Sequence, residues 1–245
     1  MEKNERSRQK LRQSRQKDVG DETERGLAIE AGFKSWLEFI RQQSGDSGAG
    51  RVAFDSRSSL IDAIVIEEEL LRKFALLRNA EAFFDRVSHA ANVADITKGS
   101  EHYVIRYIDP SGARRVLKAT IPGKYGRYEY SPSIYLNSLC LVQSLVAALD
   151  IRIHGVINSV RSPSIVTSMQ YIPGRHPRPA EIAAYLREMG WREYHDGSQT
   201  LDFINEDLKQ IIRDGHANNW VCQKGSGVMI PIDISIENVP IQNCQ

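Results

Sequence analysis

Cysteine is scarce: Cys140, Cys222 and Cys244 are the only three in 245 residues, widely scattered and without paired spacing. That argues against a disulfide framework and offers no zinc-ligand pattern. Charge of one sign is lacking too, since 32 Lys and Arg stand against 31 Asp and Glu. No global field therefore selects nucleic acid or a membrane as partner. No apolar run approaches the roughly 20 residues that span a bilayer, and the first residues are charged where a signal peptide would be apolar. The expectation is a cytoplasmic protein without membrane contact. Five histidines, His89, His102, His154, His176 and His195, show no metal-ligand spacing and read as structural or surface groups. What is present, 41% hydrophobic and 26% charged residues, suffices for a real core in one or two domains.

The first eighteen residues are polar with an excess of Lys and Arg, which predicts a disordered or frayed tail, with contact to nucleic acid as the alternative. "GFKSWLEFIRQQ" then places Phe33, Trp36, Leu37 and Ile40 on one helical face. "SGDSGAG" (44–50) reads as a flexible linker. Residues 1–50 are thus set apart from a second part, residues 51–245. "SLIDAIVIEEELLRKFALLRNAEAFFDRVSHA" predicts one broken helix or two, with Leu70, Phe74 and Leu77 on one stripe and Phe83, Phe84 and Val87 later. "YVIRYI", "DPSG" and "ARRVLKAT" predict a hairpin that carries Lys118 on the face of Val116, opposite Leu117. An edge-strand lysine that discourages aggregation is the plain alternative for Lys118. A helix from Ser131 to Leu149 follows, opened by Ser-Pro, then the β-like runs "IRIHGVIN" and "SIVTSMQYI" and the connector "PGRHPRP". "AEIAAYLREMG" predicts a short helix with Ala183, Leu186 and Met189 inward and Gly190 ending it.

Near the end, "WVCQ" and "VMIPID" flank "KGSG", the pattern of a hairpin centred near Ser226. Counting outward, Asn219 and Asp233 meet at its open end. With Asp214 five residues before the Asn, they form a hard-oxygen set suited to magnesium, which takes few protein ligands plus phosphate oxygens. The alternative is that Asp-Gly and Asn-Asn are simply turn formers.

Asp214, His216 and Asn219 spell D-x-H-x-x-N, and Asp233 follows behind "IPI". This resembles the catalytic segment of kinase-fold phosphotransferases, the aminoglycoside and choline kinase group among them. The triplet alone would arise by chance in roughly one such chain in a hundred. "GSEHYVIRY", "VLK", "KATIPGKYG", "LDIRIHGVI", "IVTSMQYIPGR" and "PID" further resemble the small serine/threonine/tyrosine-type kinase domain of bacterial polyvalent proteins of phages and conjugative elements. The resemblance implies a compact, two-lobed α+β fold: a small β-rich N-lobe over about 60–172, a hinge near Pro173, and a reduced C-lobe over about 173–245. It implies ATP and Mg2+ as cofactors and transfer to a hydroxyl acceptor, on protein Ser, Thr or Tyr or on a small molecule. Asp214 would be the catalytic base and His216 would brace its loop. Asn219 and Asp233 would hold the metal, Lys118 would contact ATP phosphates, Gly99 and Ser100 would cover them, and Tyr171 and Ile172 would meet the adenine.

The sequence departs from that pattern in three places. Only Gly99 stands where a glycine-rich loop is expected, the helix from Ser131 to Leu149 has no acidic residue to pair with Lys118, and Asp233 is followed by Ile-Ser. Glu129 is a weak substitute for the missing acid. A non-catalytic, nucleotide- or protein-binding module is therefore the alternative to an active enzyme.

Overall fold

The protein is described by a computed structural model over residues 26–44, 57–75, 78–126, 131–159, 162–195 and 201–239. The basic tail, residues 45–50 of the linker, Leu77, Glu129 and Cys244 lie outside the described residues. The chain forms two compact units, Met1–Ser133 with Ile151–Gln170, and Ile134–Asp150 with Tyr171–Gln245. Both mix helix and strand, as the α+β expectation requires.

In the first unit the expected hairpin forms from β3 (His102–Ile108) and β4 (Arg114–Thr120). Its turn is set by the Asp109 carboxylate, which accepts the Ser111 and Ala113 amides at 2.9 and 3.0 Å. Gly112 holds φ +86 there, a backbone state that side-chain-bearing residues rarely adopt. The hairpin joins a six-stranded sheet ordered β1 (Leu27–Ala28), β5 (Arg152–Ile157), β6 (Ser164–Gln170), β4, β3 and β2 (Ile96–Lys98). Period two then decides which residues share a face. On one face Ile105, Leu117, Ala119 and Val166 are buried against Ala80, Phe83 and Val87, the last two from α3 (Glu81–Ala90). Burial of each large apolar side chain contributes about 1.5–3 kcal/mol.

The opposite face carries Ile153, the direct partner of Thr167, which in turn pairs with Lys118. Against it lies α1 (Ile29–Ser44), so close that a Cβ on Gly32 would meet Ile153 Cγ2 at 2.0 Å. Only glycine permits that approach. Trp36, fully buried, meets Phe74 edge-on with ring centroids 5.4 Å apart and donates through Nε1 to Ser133 Oγ at 2.9 Å. Phe74 belongs to α2 (Arg57–Ala75). The predicted broken helix is thus two helices, with the Asn79 side chain accepting the Glu81 amide at 2.9 Å where the second begins. The inward stripe of α1 differs from the expectation in one residue: Leu37 is 41% exposed, while Ile29 and Trp36 are buried.

In the second unit, which takes in α4 (Pro132–Leu145) from Ile134 on, Ser138 Oγ accepts the Ile236 amide at 2.9 Å. α5 (Pro179–Glu188) buries Ile182 and Leu186 at i, i+4 spacing. Met189 is 38% exposed, against expectation, because it lies past the last helical turn, where Gly190 at φ +81 redirects the chain. Ahead of this helix the Arg175 guanidinium grips Glu181 through two contacts, 2.7 and 3.0 Å. Three short strands without a clear apolar period join a fourth in one sheet: β8 (Arg192–Tyr194), β9 (Asp202–Asn205), β10 (Gln210–Arg213) and β13 (Ser235–Asn238), ordered β13-β10-β9-β8. A three-stranded sheet joins β12 (Met229–Pro231), β11 (Trp220–Gln223) and β7 (Gly174–Arg175). Among the described residues no helix is long and apolar enough to cross a membrane.

Candidate active site

The hairpin that organises the second unit's polar cluster forms as expected, with its register one residue off the count centred on Ser226. Trp220 pairs with Pro231 and Val221 with Ile230, so Ile232 stands opposite Asn219 and Asp233 lies one step beyond. The Asn219 carbonyl accepts the Ile232 amide at 2.8 Å and the Asp233 amide at 3.3 Å. One carbonyl therefore anchors the backbone of the exposed Asp233. The reason is the four-residue loop 224–227: its midpoint falls between Gly225 and Ser226, not on Ser226, and the strands pair symmetrically about it.

Asn219 closes a short turn (Ala217–Asn219) by donating its amide to the His216 carbonyl at 2.8 Å. Both protons of its side-chain nitrogen point to Asp214, reaching the main-chain carbonyl at 2.8 Å and Oδ2 at 2.9 Å. That fixes the amide orientation and turns its oxygen away from Asp214. The other carboxylate oxygen, Oδ1, lies 3.2 Å from His216 Nε2. So His216 touches the carboxylate itself besides closing the turn. The side chains of His216 and Asp214 are 50% and 44% exposed, open enough to meet a substrate group. Asp214, His216, Asn219 and Asp233 are thus brought together within one unit.

Asp214 pays for its position in backbone conformation, with φ +57, a left-handed state that costs a residue with a side chain about 1–2 kcal/mol. The offset comes from Asp202, fully buried at the start of β9, whose Oδ1 accepts the Asp214 amide at 3.1 Å and whose Oδ2 accepts Arg213 Nη1 at 2.7 Å. Hydrogen bonds to a charged group are each worth about 1.5–3 kcal/mol, enough to hold the strained residue. Gly215 donates to the Leu201 carbonyl at 2.7 Å, and a Cβ there would lie 2.7 Å from that oxygen and 2.9 Å from the Phe203 ring. Neither Asp202 nor Arg213 was marked by sequence reasoning; an Asp within "TLDFIN" carries no spacing signal.

In the first unit Lys118 is half-buried on β4, paired with Val104 and Thr167. Because β4 lies between β3 and β6, the edge-strand reading of this lysine fails. Gly99 and Ser100 form the exposed turn between β2 and β3, closed by the Gly99 amide on the His102 carbonyl at 2.8 Å. Lys124, overlooked in the sequence, donates its ammonium to the Ser100 carbonyl at 3.0 Å. Its available signal is the flanking pair Gly123 and Gly126, at φ +76 and +87. Acidic groups arrive from α2, which precedes β2 to β6 in the chain: Glu67 accepts the Ser133 amide at 2.8 Å and Glu68 accepts Ser162 Oγ at 3.2 Å. Tyr171 and Ile172 are the first residues of the second unit after β6, the former half-buried and the latter buried.

The family described as serine/threonine/tyrosine kinase found in polyvalent proteins matches residues 66–238. No curated protein matches the chain. Among solved structures, the amicoumacin kinase hAmiN in complex with AMP-PNP, Ca2+ and Ami is similar at 13% identity over 67% of each chain, with a TM-score of 0.39. The family match takes in more than half of the chain, residues 66–238 from within α2 to the end of β13, so this chain belongs to the serine/threonine/tyrosine kinases found in polyvalent proteins and is a kinase-like phosphotransferase.

Proposed function

We propose that the chain transfers the γ-phosphoryl group of ATP, with magnesium, to a hydroxyl acceptor on protein Ser, Thr or Tyr. The observation that carries the reading is the Asp214 carboxylate, held by Asn219 on one oxygen and facing His216 on the other, next to the exposed Asp233. Family membership supplies the reaction class, and the arrangement supplies the parts such a reaction needs. Phosphoryl transfer depends mostly on positioning and charge neutralisation, so a sparse set of groups is sufficient.

Asp214 has one oxygen fixed by an amide and the other beside an imidazole, so it is oriented to accept the acceptor's hydroxyl proton. His216 limits the rotation of that carboxylate. The donor set fits a hard cation: the Asn219 amide oxygen faces away from Asp214, and Asp233 adds a carboxylate. Magnesium takes few protein ligands and nucleotide phosphates fill the rest, so two protein oxygens are enough to hold it. Bound there, magnesium would neutralise charge on the transferring group. Lys118 would meet ATP phosphates as a point charge, the Gly99–Ser100 turn would cover them with backbone amides, and Tyr171 and Ile172 would offer main-chain groups to adenine.

A second reading, a small-molecule acceptor, is favoured by the Asp214–His216 contact, which belongs to the D-x-H-x-x-N form. Radiolabelled phosphate transfer from ATP, to the protein itself, to added proteins and to hydroxyl metabolites or aminoglycosides, tests both. Asp214→Ala and Asp233→Ala are expected to abolish transfer. A residue whose replacement leaves the rate unchanged drops out of the mechanism, and thermal stabilisation by ATP and magnesium without any transfer would leave only a binding module.

A further inference from the structure

The β9–β10 ladder ends at the pair Phe203–Ile212. Where the next rung would pair Asp202 with Arg213, the Asp202 side chain takes over, gripping Arg213 Nη1 at 2.7 Å and the Asp214 amide at 3.1 Å. One carboxylate thus holds two successive residues, the last of the strand and the first of the loop. It is fully buried, and a buried charge is tolerated only when paired and hydrogen-bonded. The arginine is held in turn, with its guanidinium 5.8 Å over the Tyr194 ring and Nε 3.7 Å from the Glu237 carboxylate. Tyr194, Asp202, Arg213 and Glu237 come from all four strands of the sheet, so the whole sheet is braced around the point where the chain leaves for the loop. At that point Asp214 sits at φ +57, and the adjacent Gly215 amide is tied to the Leu201 carbonyl at 2.7 Å.

We infer that Asp202 is a positioning residue for phosphoryl transfer: it sets the main-chain conformation of Asp214 and so aims the Asp214 carboxylate at the acceptor. The inference rests on Asp214 being the group that receives the hydroxyl proton. Asp202 touches neither nucleotide nor acceptor in this role. Its loss is read in the chemical step, because small displacements of a reacting group cost rate far more than they cost nucleotide binding.

The test uses the full chain as wild type, Asp202→Asn, the doubly neutral Asp202→Asn with Arg213→Gln, and Asp214→Asn. Phosphate-transfer kcat, KM for ATP, and amide hydrogen exchange across residues 201–219 are measured. The expected result for Asp202→Asn is a kcat lower by about tenfold or more, with KM for ATP within about twofold. Faster exchange should be confined to Asp214 and its neighbours. If the uncompensated arginine keeps that variant from folding, the doubly neutral variant carries the same expectation. Full kcat in a folded Asp202 variant, or unchanged protection of the Asp214 amide, overturns the inference. Full turnover in Asp214→Asn overturns instead the reading on which it rests, and the two failures are distinct. The exchange measurement needs no acceptor, so it decides the positioning claim whatever the substrate proves to be.

Discussion

Replacing Gly215 by alanine is the sharpest single perturbation of the loop proposed to carry the catalytic base. The added Cβ would lie 2.7 Å from the Leu201 carbonyl oxygen, 2.9 Å from Phe203 Cε2 and 3.2 Å from its Cδ2. The oxygen is main chain, and the ring is locked by burial, 1% exposed, so neither neighbour is the free end of a flexible side chain. The loop itself must move, and the first bond to stretch is the Gly215 amide to Leu201 at 2.7 Å. Overpacking of this kind costs about 1–3 kcal/mol. For a chain of this size each kcal/mol lowers Tm by about 2–4 °C, so a fall of about 4–8 °C is expected for a mid-range cost. The effect on turnover should be larger in proportion, because Asp214 is the preceding residue: a displacement near 1 Å corresponds to about a hundredfold loss of kcat. Gly225→Ala is the control, since Gly225 has open space around it and only its φ of +95 opposes a side chain. That variant should lose about 1–2 kcal/mol and keep its kcat. Scanning calorimetry and transfer kinetics on both variants decide the matter. A Gly215→Ala protein with wild-type Tm and kcat would show that the loop is not clamped as described.

Other consequences follow from the packing and ionisation of the two units. Trp36→Ala empties a fully buried site beside Phe74 and should cost about 3–5 kcal/mol; denaturant unfolding showing no loss would detach α1 from the first unit's core. Gly155→Ala would place a Cβ 2.2 Å from the Arg78 carbonyl at a φ of +140, and should prevent the Val156 amide from reaching that same carbonyl, now 2.8 Å away. A soluble variant with unchanged Tm would refute this. Hydrogen bonding from Arg175 pulls the Glu181 carboxyl down to about 2 from an ordinary 4.5. A depressed folded pKa means that its stabilisation is complete above the ordinary value and fades as pH falls through the folded one. The Tm gap between wild type and Glu181→Gln should therefore be constant above about pH 4.5 and close toward about pH 2; a gap that widens on acidification would contradict the pairing.

What was legible in the sequence was whatever depends on neighbours along the chain. The β3–β4 hairpin announced itself by alternation around Asp-Pro-Ser-Gly, and α5 by its apolar spacing and closing glycine. The polar cluster was legible for the same reason: a two-strand reversal with glycines at its tip brings Asn219 and Asp233 together from a separation of only fourteen residues. The register was legible as well, but only to a count made from between Gly225 and Ser226: a loop of four residues has no central residue, and centring on Ser226 shifts every pair by one. β8, β9 and β10 were missed because strands of three or four residues are too short to display a period, and because β9 opens and closes with buried polar residues, Asp202 and Asn205. Their burial is made tolerable by partners outside the strand itself: Arg213 for Asp202, and the Met189 carbonyl and the Leu208 amide of the following turn for Asn205. The same logic explains why the motif marked Asp214, His216 and Asn219 but not what holds them. Groups that the D-x-H-x-x-N spacing marks lie on one short stretch of chain, whereas a carboxylate that holds a backbone amide can enter from whichever strand happens to pass. Here that strand is β9, and only the three-dimensional pairing of Phe203 with Ile212 puts Asp202 within reach of Asp214.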